Sequence, residues 1–182
     1  MAQLPALAQA LLAPEAYPYP VDSVSLVQTH ISYVFLAGDY AYKVKKPVDF
    51  GFLNFTTPAR RRYYCHQEVK LNRRLCPELY LGVVPVALGP HGYRIGGPGR
   101  IVESAVWMKR LPQDRMLDQL LARGEVEPGM VSAVAQRLAA FHREAATGPS
   151  VQRYGRPAAI ARNWEENLSQ TEPYIGVTIG AR

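Results

Sequence analysis

Apolar, β-branched and aromatic residues are concentrated in short runs between residues 24 and 109, and polar residues, glycine or proline separate neighbouring runs. Runs of this kind predict β-strands joined by turns. Between the second and third runs, Gly38 and Asp39 are suited to a hairpin turn, because both accept a positive φ. The patterns predict a small five-stranded antiparallel sheet. The runs lie at residues 24–29, 33–37, 40–46, 80–88 and 101–109, with a further short run at 93–95.

A helical period replaces alternation in the remaining segments. Thr57 followed by Pro58 predicts the start of one long helix, because threonine caps free N–H groups and proline suits the first helical position. Pro77 ends that helix near Cys76. Together with the sheet, this helix predicts an α+β fold. The other predicted helices lie at residues 1–12, 116–123, 128–146 and 158–167, the last with Trp164 as its packing anchor.

The change from strands to helices near residues 109–112 predicts a boundary between two lobes. Residues 1–22 are expected to form an N-terminal helix and an irregular entry. Residues 23–110 would form the lobe with the sheet and the long helix, and residues 111–182 a partial helical lobe. The final residues end without a polar tail, so we expect a truncated chain.

Composition places the chain among globular proteins. It has 182 residues, of which 48% are hydrophobic and 20% charged, close to globular averages. No apolar run approaches the roughly 20 residues that span a membrane, and residues 1–12 lack the basic start of a signal peptide. We therefore expect a cytoplasmic protein with no membrane partner. Cys65 and Cys76 lack paired Cys/His spacing, which predicts neither a disulfide framework nor a metal site.

The net charge of +6 suits a polyanionic partner, either a nucleotide or a nucleic acid. Lysine and arginine cluster at residues 43–46, 60–62 and 73–74. Tyr63 and Tyr64 follow the second cluster and are typical of a platform on which bases stack. A solvated basic face at the start of the long helix explains the same pattern.

The run at residues 40–46 carries the most informative lysine. With a side-chain period of two, Ala41, Lys43 and Lys45 share one side of this strand. A lysine beside a small residue leaves space for a planar base while its ammonium reaches phosphates. The alternative is an edge strand whose lysines block aggregation between sheets.

Polar residues also lie in the connection before residue 33. His30 and Ser32 could present imidazole, hydroxyl and backbone N–H groups to phosphate oxygens, although the usual glycine-rich pattern is missing. A plain turn is the alternative interpretation.

Glu68 lies on the apolar stripe that we expect for the long helix. That stripe would comprise Tyr64, Leu71 and Leu75, widened by Cys65, Val69 and Cys76. A carboxylate on such a face costs several kcal/mol unless a cation meets it. Lys43 is the predicted partner. Alternatively, Glu68 lies at the edge of the stripe and pairs with Arg60, Arg61 or Lys70.

These features together resemble the nucleotide-binding lobe of the protein-kinase-like fold. Residues 29–36, 42–53 and 71–75 look more closely like a bacterial family of predicted kinases related to aminoglycoside phosphotransferases. The run Lys-Val-Lys-Lys-Pro-Val-Asp-Phe-Gly-Phe-Leu at residues 43–53 is the most specific part. The resemblance covers most of residues 24–175, and many family members continue into a P-loop kinase domain.

The resemblance implies binding of ATP with Mg²⁺. Lys43 would hold the α- and β-phosphates, and Glu68 would fix that lysine. Ser32 would lie in the phosphate-covering loop beside His30, and Ala41 would line the adenine pocket. The hinge that bonds the base would run from Met108 through Lys109 to Leu111. A nucleotide is then the expected partner, and nucleic acid is less favoured.

The catalytic residues of the family have no counterpart in this sequence. Phosphoryl transfer needs an Asp that accepts the substrate proton and Asn or Asp ligands for Mg²⁺, and no His-Gly-Asp segment occurs. His142-Arg143-Glu144 falls inside the predicted helix 128–146 and is interpreted as helix surface. We therefore predict the ATP-binding part of a small-molecule phosphotransferase that is inactive as this chain, its acceptor substrate unknown. The alternative is a non-catalytic basic module for nucleic acid or a protein partner.

Overall fold

The structure is a computed structural model that describes residues 3–180. It divides into two compact units that meet in sequence between Val134 and Ala135. The predicted segments 1–22 and 111–182 include residues 1, 2, 181 and 182, which lie outside the described residues. The predicted boundaries after residues 22 and 110 stay predictions.

The first unit is built on one antiparallel sheet of six strands. The strands are β1 (Val24–Gln28), β2 (Ser32–Ala37), β3 (Tyr40–Lys45), β4 (Tyr80–Gly89), β5 (Gly92–Ile95) and β6 (Arg100–Lys109). They lie in the order β1-β2-β3-β6-β4-β5. The α+β class is confirmed, and the sheet has one strand more than predicted. Strand β1 pairs along its whole length with β2, and β5 pairs along its whole length with the end of β4.

The helices follow the predicted order. The first four are shorter than predicted, a short helix that was not predicted follows them, and the last one is longer than its predicted range of residues 158–167. Thr57 caps the long helix as predicted, since its side chain accepts a hydrogen bond from the Arg60 N–H. No helix within residues 3–180 combines the length and the apolar character that crossing a bilayer requires. The α-helices are α1 (Ala6–Ala10), α2 (Pro58–Asn72), α3 (Leu117–Ala122), α4 (Pro128–Arg143), α5 (Pro149–Gln152) and α6 (Pro157–Thr171). Short 3₁₀ turns lie at Pro14–Ala16, Gln113–Arg115, Arg153–Gly155 and Glu172–Tyr174.

One face of the sheet is covered by the N-terminal segment. Leu11 and Tyr17 are buried in one cluster with Phe35 and Tyr42 of the sheet. The Tyr17 hydroxyl donates a hydrogen bond to the Leu11 carbonyl at 2.7 Å. Because Tyr42 and Lys43 point to opposite faces of β3, this packing leaves Lys43 on the other face.

Helix α2 packs on that other face, where Cys65 and Val69 contact the buried Val106 of β6. The predicted apolar stripe is confirmed at Cys65 and Val69, which are buried, but it is wrong at Leu71, which is 53% exposed. The buried positions instead recur at intervals of four and begin with Arg61. An arginine takes a core position because a buried acceptor meets it, as the site geometry below shows.

The short strand β5 contributes to the core. Ile95 is 3% exposed, whereas Ile101 on β6 is 60% exposed. We expect Ile95→Val to lower the free energy of unfolding by about 0.5–1.5 kcal/mol, because it removes a buried methyl group. Ile101→Val, the matched control, should change it by less than about 0.5 kcal/mol. Urea unfolding of both variants measures the difference, and equal effects would place Ile95 outside the core.

The second unit comprises the end of α4, then α5 and α6. No residue of α4, α5 or α6 is buried. Trp164, the predicted anchor of the last helix, is 69% exposed, so that prediction is wrong. His142 and Arg143 lie in the last turn of α4 and are exposed, as predicted for helix surface.

Candidate anion-binding site

Strand β3 holds Lys43 in the interior of the sheet. Lys43 is paired with Val34 of β2 on one side and with Val106 of β6 on the other. The edges of the sheet are β1 and β5. The alternative interpretation, in which Lys43 lies on an edge strand and blocks aggregation between sheets, is therefore wrong. A lysine at a central position of the sheet needs another explanation.

Glu68 of α2 meets two lysines of β3. Lys43 Nζ donates to Glu68 Oε1 at 2.8 Å, which confirms the predicted contact. Lys45 Nζ donates to the other oxygen, Oε2, at 2.7 Å. The alternative pairing of Glu68 with cations of its own helix is not what the structure shows. Lys45 was missed as a partner, although its position two residues after Lys43 places both side chains on one side of the strand.

The three charged groups differ in exposure. The side chains of Lys43, Lys45 and Glu68 are 26%, 5% and 12% exposed. Burial alone would raise the pKa of Glu68, but the hydrogen bonds and charges of both lysines outweigh it, so its pKa lies below the ordinary value. Glu68 is therefore ionised at neutral pH. Two ammonium groups facing one carboxylate leave one positive charge in excess.

A second buried ion pair fixes the beginning of α2. Arg61 Nε donates to Glu103 Oε2 at 2.6 Å, and the same guanidinium donates to the carbonyls of Phe55 and Thr56. The Ser104 N–H donates to the other oxygen of Glu103. Burial raises the pKa of Glu103 despite these bonds. Arg61 therefore stabilises the fold. Because it is buried, it does not contribute to the exposed basic cluster that was predicted at residues 60–62.

The two residues predicted to bind phosphates before Tyr33, His30 and Ser32, lie in different environments. His30 lies exposed in the turn between β1 and β2, whereas Ser32 is the first residue of β2 and is fully buried. Ser32 therefore does not lie in the loop. It pairs with Lys45 in the sheet, and its Oγ has no hydrogen-bond partner among the described residues. Lys46 stabilises the turn between β1 and β2, because its Nζ donates a hydrogen bond to the Thr29 carbonyl at 2.7 Å.

The predicted adenine pocket and hinge lie at the far end of β3. Ala41 is buried and directly opposite Met108 of β6. Lys109 is exposed and lines an open cavity of about 540 Å³ together with residues 38–40 and 110–112. The N–H groups of Lys109 and Arg110 already donate to the carbonyls of Leu79 and Asp39. Those two donors are not free for a base, which limits the predicted hinge to its remaining backbone groups.

Another open cavity, of about 680 Å³, lies along α2 and β6 and includes Glu103, Arg62 and His66. It contains none of the predicted nucleotide-binding residues. Among residues 3–180, no three His, Cys, Asp or Glu side chains cluster in a way that could hold a metal ion.

The sequence is similar to proteins of Mycobacterium bovis and of two strains of Mycobacterium tuberculosis, each described as uncharacterized. Each is 33% identical over 147 residues, which cover 81% of this chain and 28% of the relative. The chain thus spans less than a third of the length of the curated relatives it matches. No family model matches the sequence, and no solved structure gives a significant match.

Proposed function

We propose that the site around Lys43 and Glu68 binds the phosphates of ATP, and that residues 23–110 form a kinase-like nucleotide-binding lobe. The observation that carries the proposal is the 2.8 Å contact between Lys43 Nζ and Glu68 Oε1. Protein kinases hold the phosphates of ATP with a lysine on the third strand that is paired to a glutamate on a helix. Lys43 lies on the third strand of this chain and Glu68 on the helix that follows.

The charges favour an anionic ligand. The excess positive charge belongs to the site as a whole, and Lys43 is its most exposed cation. A partly buried ammonium interacts more strongly with a phosphate than a fully solvated one, because the local dielectric is lower. Ala41, two residues earlier on the same side of β3, takes the position next to the adenine ring in this proposal.

The proposal extends to the class of the whole protein only by resemblance. The sequence pattern of residues 43–53 supports a small-molecule phosphotransferase of the aminoglycoside-phosphotransferase-like kind. The acceptor substrate, a linked P-loop kinase domain and the groups that transfer the phosphate belong to that resemblance. For this chain we propose nucleotide binding without phosphoryl transfer, and no step of the proposal depends on Mg²⁺.

We expect ATP to stabilise the folded chain through Lys43. At ten times the dissociation constant, a ligand that binds only the folded state adds about 1.4 kcal/mol, which corresponds to a Tm increase of about 3–6 °C for this chain length. Lys43→Met should abolish the increase, because it removes the phosphate-binding ammonium. Differential scanning fluorimetry measures each variant against its own ligand-free state.

Lys70→Met is the matched control for this experiment, since Lys70 is an exposed lysine on α2 and its loss removes the same charge. Its Tm increase with ATP should equal that of the unmodified chain. If millimolar ATP leaves the Tm of the unmodified chain unchanged, the proposed function is wrong.

The alternative basic module loses part of its surface in the folded chain. Arg61 is buried against Glu103, and the Arg73 guanidinium donates to the carbonyls of Tyr80 and Leu81. A nucleic-acid interface on α2 would therefore rely on residues such as Arg60 and Arg62. Salt-dependent binding of an oligonucleotide that is lost in Arg60→Ala/Arg62→Ala, without any effect of ATP, would favour this function instead.

A further inference from the structure

The carboxylate of Glu68 is shared between two cations, one on each oxygen. Lys43 takes Oε1 and Lys45 takes Oε2, at nearly equal distances. A single lysine would satisfy the charge of Glu68. The second lysine therefore requires an explanation that the pairing of Lys43 with Glu68 does not supply.

The surroundings of the two ammonium groups are unequal. Lys45 is enclosed, since its Nζ lies 4.9 Å from the centroid of the buried Phe55 ring and its backbone pairs with the buried Ser32. Lys43 is the more exposed lysine of the pair. Lys45 is thus held between Glu68 and an aromatic face, whereas Lys43 is within reach of a ligand in solution.

We infer that Lys45 is a positioning residue that neutralises Glu68, so that the charge of Lys43 is left for an anionic ligand while its ammonium stays on Glu68 Oε1. The inference rests on the proposed binding of phosphates at this site. Lys45 itself does not contact the ligand. Its contribution is to balance the charge of Glu68 while Lys43 contacts both the carboxylate and the ligand.

The physical reason is the repulsion between a phosphate and the carboxylate of Glu68. Like charges at close distance repel strongly where the local dielectric is low. Without Lys45, Lys43 and Glu68 would form a neutral pair, and a phosphate would meet no net positive charge there. With Lys45 present, one positive charge is in excess.

The test measures affinity for inorganic tripolyphosphate, and in parallel for ATP, by isothermal titration calorimetry. Lys45→Met should weaken binding of both anions by about tenfold or more, since the site loses its excess positive charge. Adding Glu68→Gln to Lys45→Met should restore most of the lost affinity, because the charge of Lys43 is then no longer balanced by a carboxylate.

Lys70→Met controls for the loss of one positive charge and should leave the affinity within about twofold, since exposed charges are screened. Lys45→Arg, which keeps the charge, should bind more tightly than Lys45→Met. If Lys45→Met does not fold, as circular dichroism would show, Lys45→Gln replaces it with the same expectations, alone and combined with Glu68→Gln.

The outcomes separate this inference from the proposed function. If the unmodified chain binds neither anion, the proposed function fails and this inference with it. If the unmodified chain binds but Lys45→Met binds equally well, the inference alone is overturned. It is also overturned if Lys45→Met binds weakly and the added Glu68→Gln restores nothing, because Lys45 would then act by direct attraction or by a general structural role.

Discussion

Arg61→Met is expected to lower the free energy of unfolding by about 3–5 kcal/mol, the cost of leaving one partner of a buried ion pair alone. The substitution preserves the aliphatic stem of the side chain but removes the donor to Glu103 Oε2 and to the carbonyls of Phe55 and Thr56. Urea unfolding followed by circular dichroism measures the loss.

The neighbouring arginines provide matched controls for this prediction. Arg60 and Arg62 are exposed on the same turn of α2, so Arg60→Met and Arg62→Met should each change the free energy of unfolding by less than about 0.5 kcal/mol. Equal losses in all three variants would show that the helix needs basic residues in general and would contradict the specific role of Arg61.

Glu68→Gln is expected to cost about 3–5 kcal/mol of stability at neutral pH, because it leaves the buried ammonium of Lys45 without a counter-charge. Lys43, which borders solvent, adds less. The exposed Glu78 is the matched control, and Glu78→Gln should have an effect below about 0.5 kcal/mol. Urea unfolding at neutral pH compares the two variants.

The same variant predicts a change in pH dependence. The pKa of folded Glu68 lies below its ordinary value of 4.5, so its stabilising contribution is present above that value and is lost as the pH falls further. The stability difference between the unmodified chain and Glu68→Gln should therefore shrink below about pH 4.5. The raised pKa of Glu103 has the opposite sign, but it contributes equally to both chains. A difference that is independent of pH would contradict the assignment.

The contact between Lys43 and Glu68 could be predicted from the sequence because local rules fix each partner. A period of two places Lys43 on one face of β3, and a charged residue within a helical apolar stripe requires a cation. The start of α2 at Pro58 could also be predicted from the local sequence, since the adjacent residues Thr57 and Pro58 suit the cap and the first helical position.

Arg61 could not be assigned because its role depends on tertiary packing. The rotation of α2 follows from Glu103, which lies 42 residues after Arg61 in the sequence, and no local pattern connects them. A search for periodic apolar residues also does not detect a charged side chain that is buried with its partner. For the same reason the predicted stripe placed Leu71 inside and left Arg61 outside.

Ser32 and Trp164 show two further limits of local patterns. Ser32 looked like a loop residue because it is polar, but the pairing of β2 with Lys45 extends the strand to include it. Trp164 looked like an anchor because large aromatic residues dominate cores. Burial of Trp164 would require another surface to cover α6, and the sequence of the helix alone does not show whether one exists.

The measurement that tests the central claim most directly is the acetylation rate of each lysine, measured by mass spectrometry in the presence and absence of ATP. Lys43 is partly exposed and open to the reagent, and Lys70 serves as the exposed reference. If Lys43 holds the phosphates, its acetylation falls in proportion to the occupancy of the site, while that of Lys70 stays constant. Unchanged acetylation of Lys43 at ATP concentrations that raise the Tm would place the nucleotide elsewhere and contradict the account.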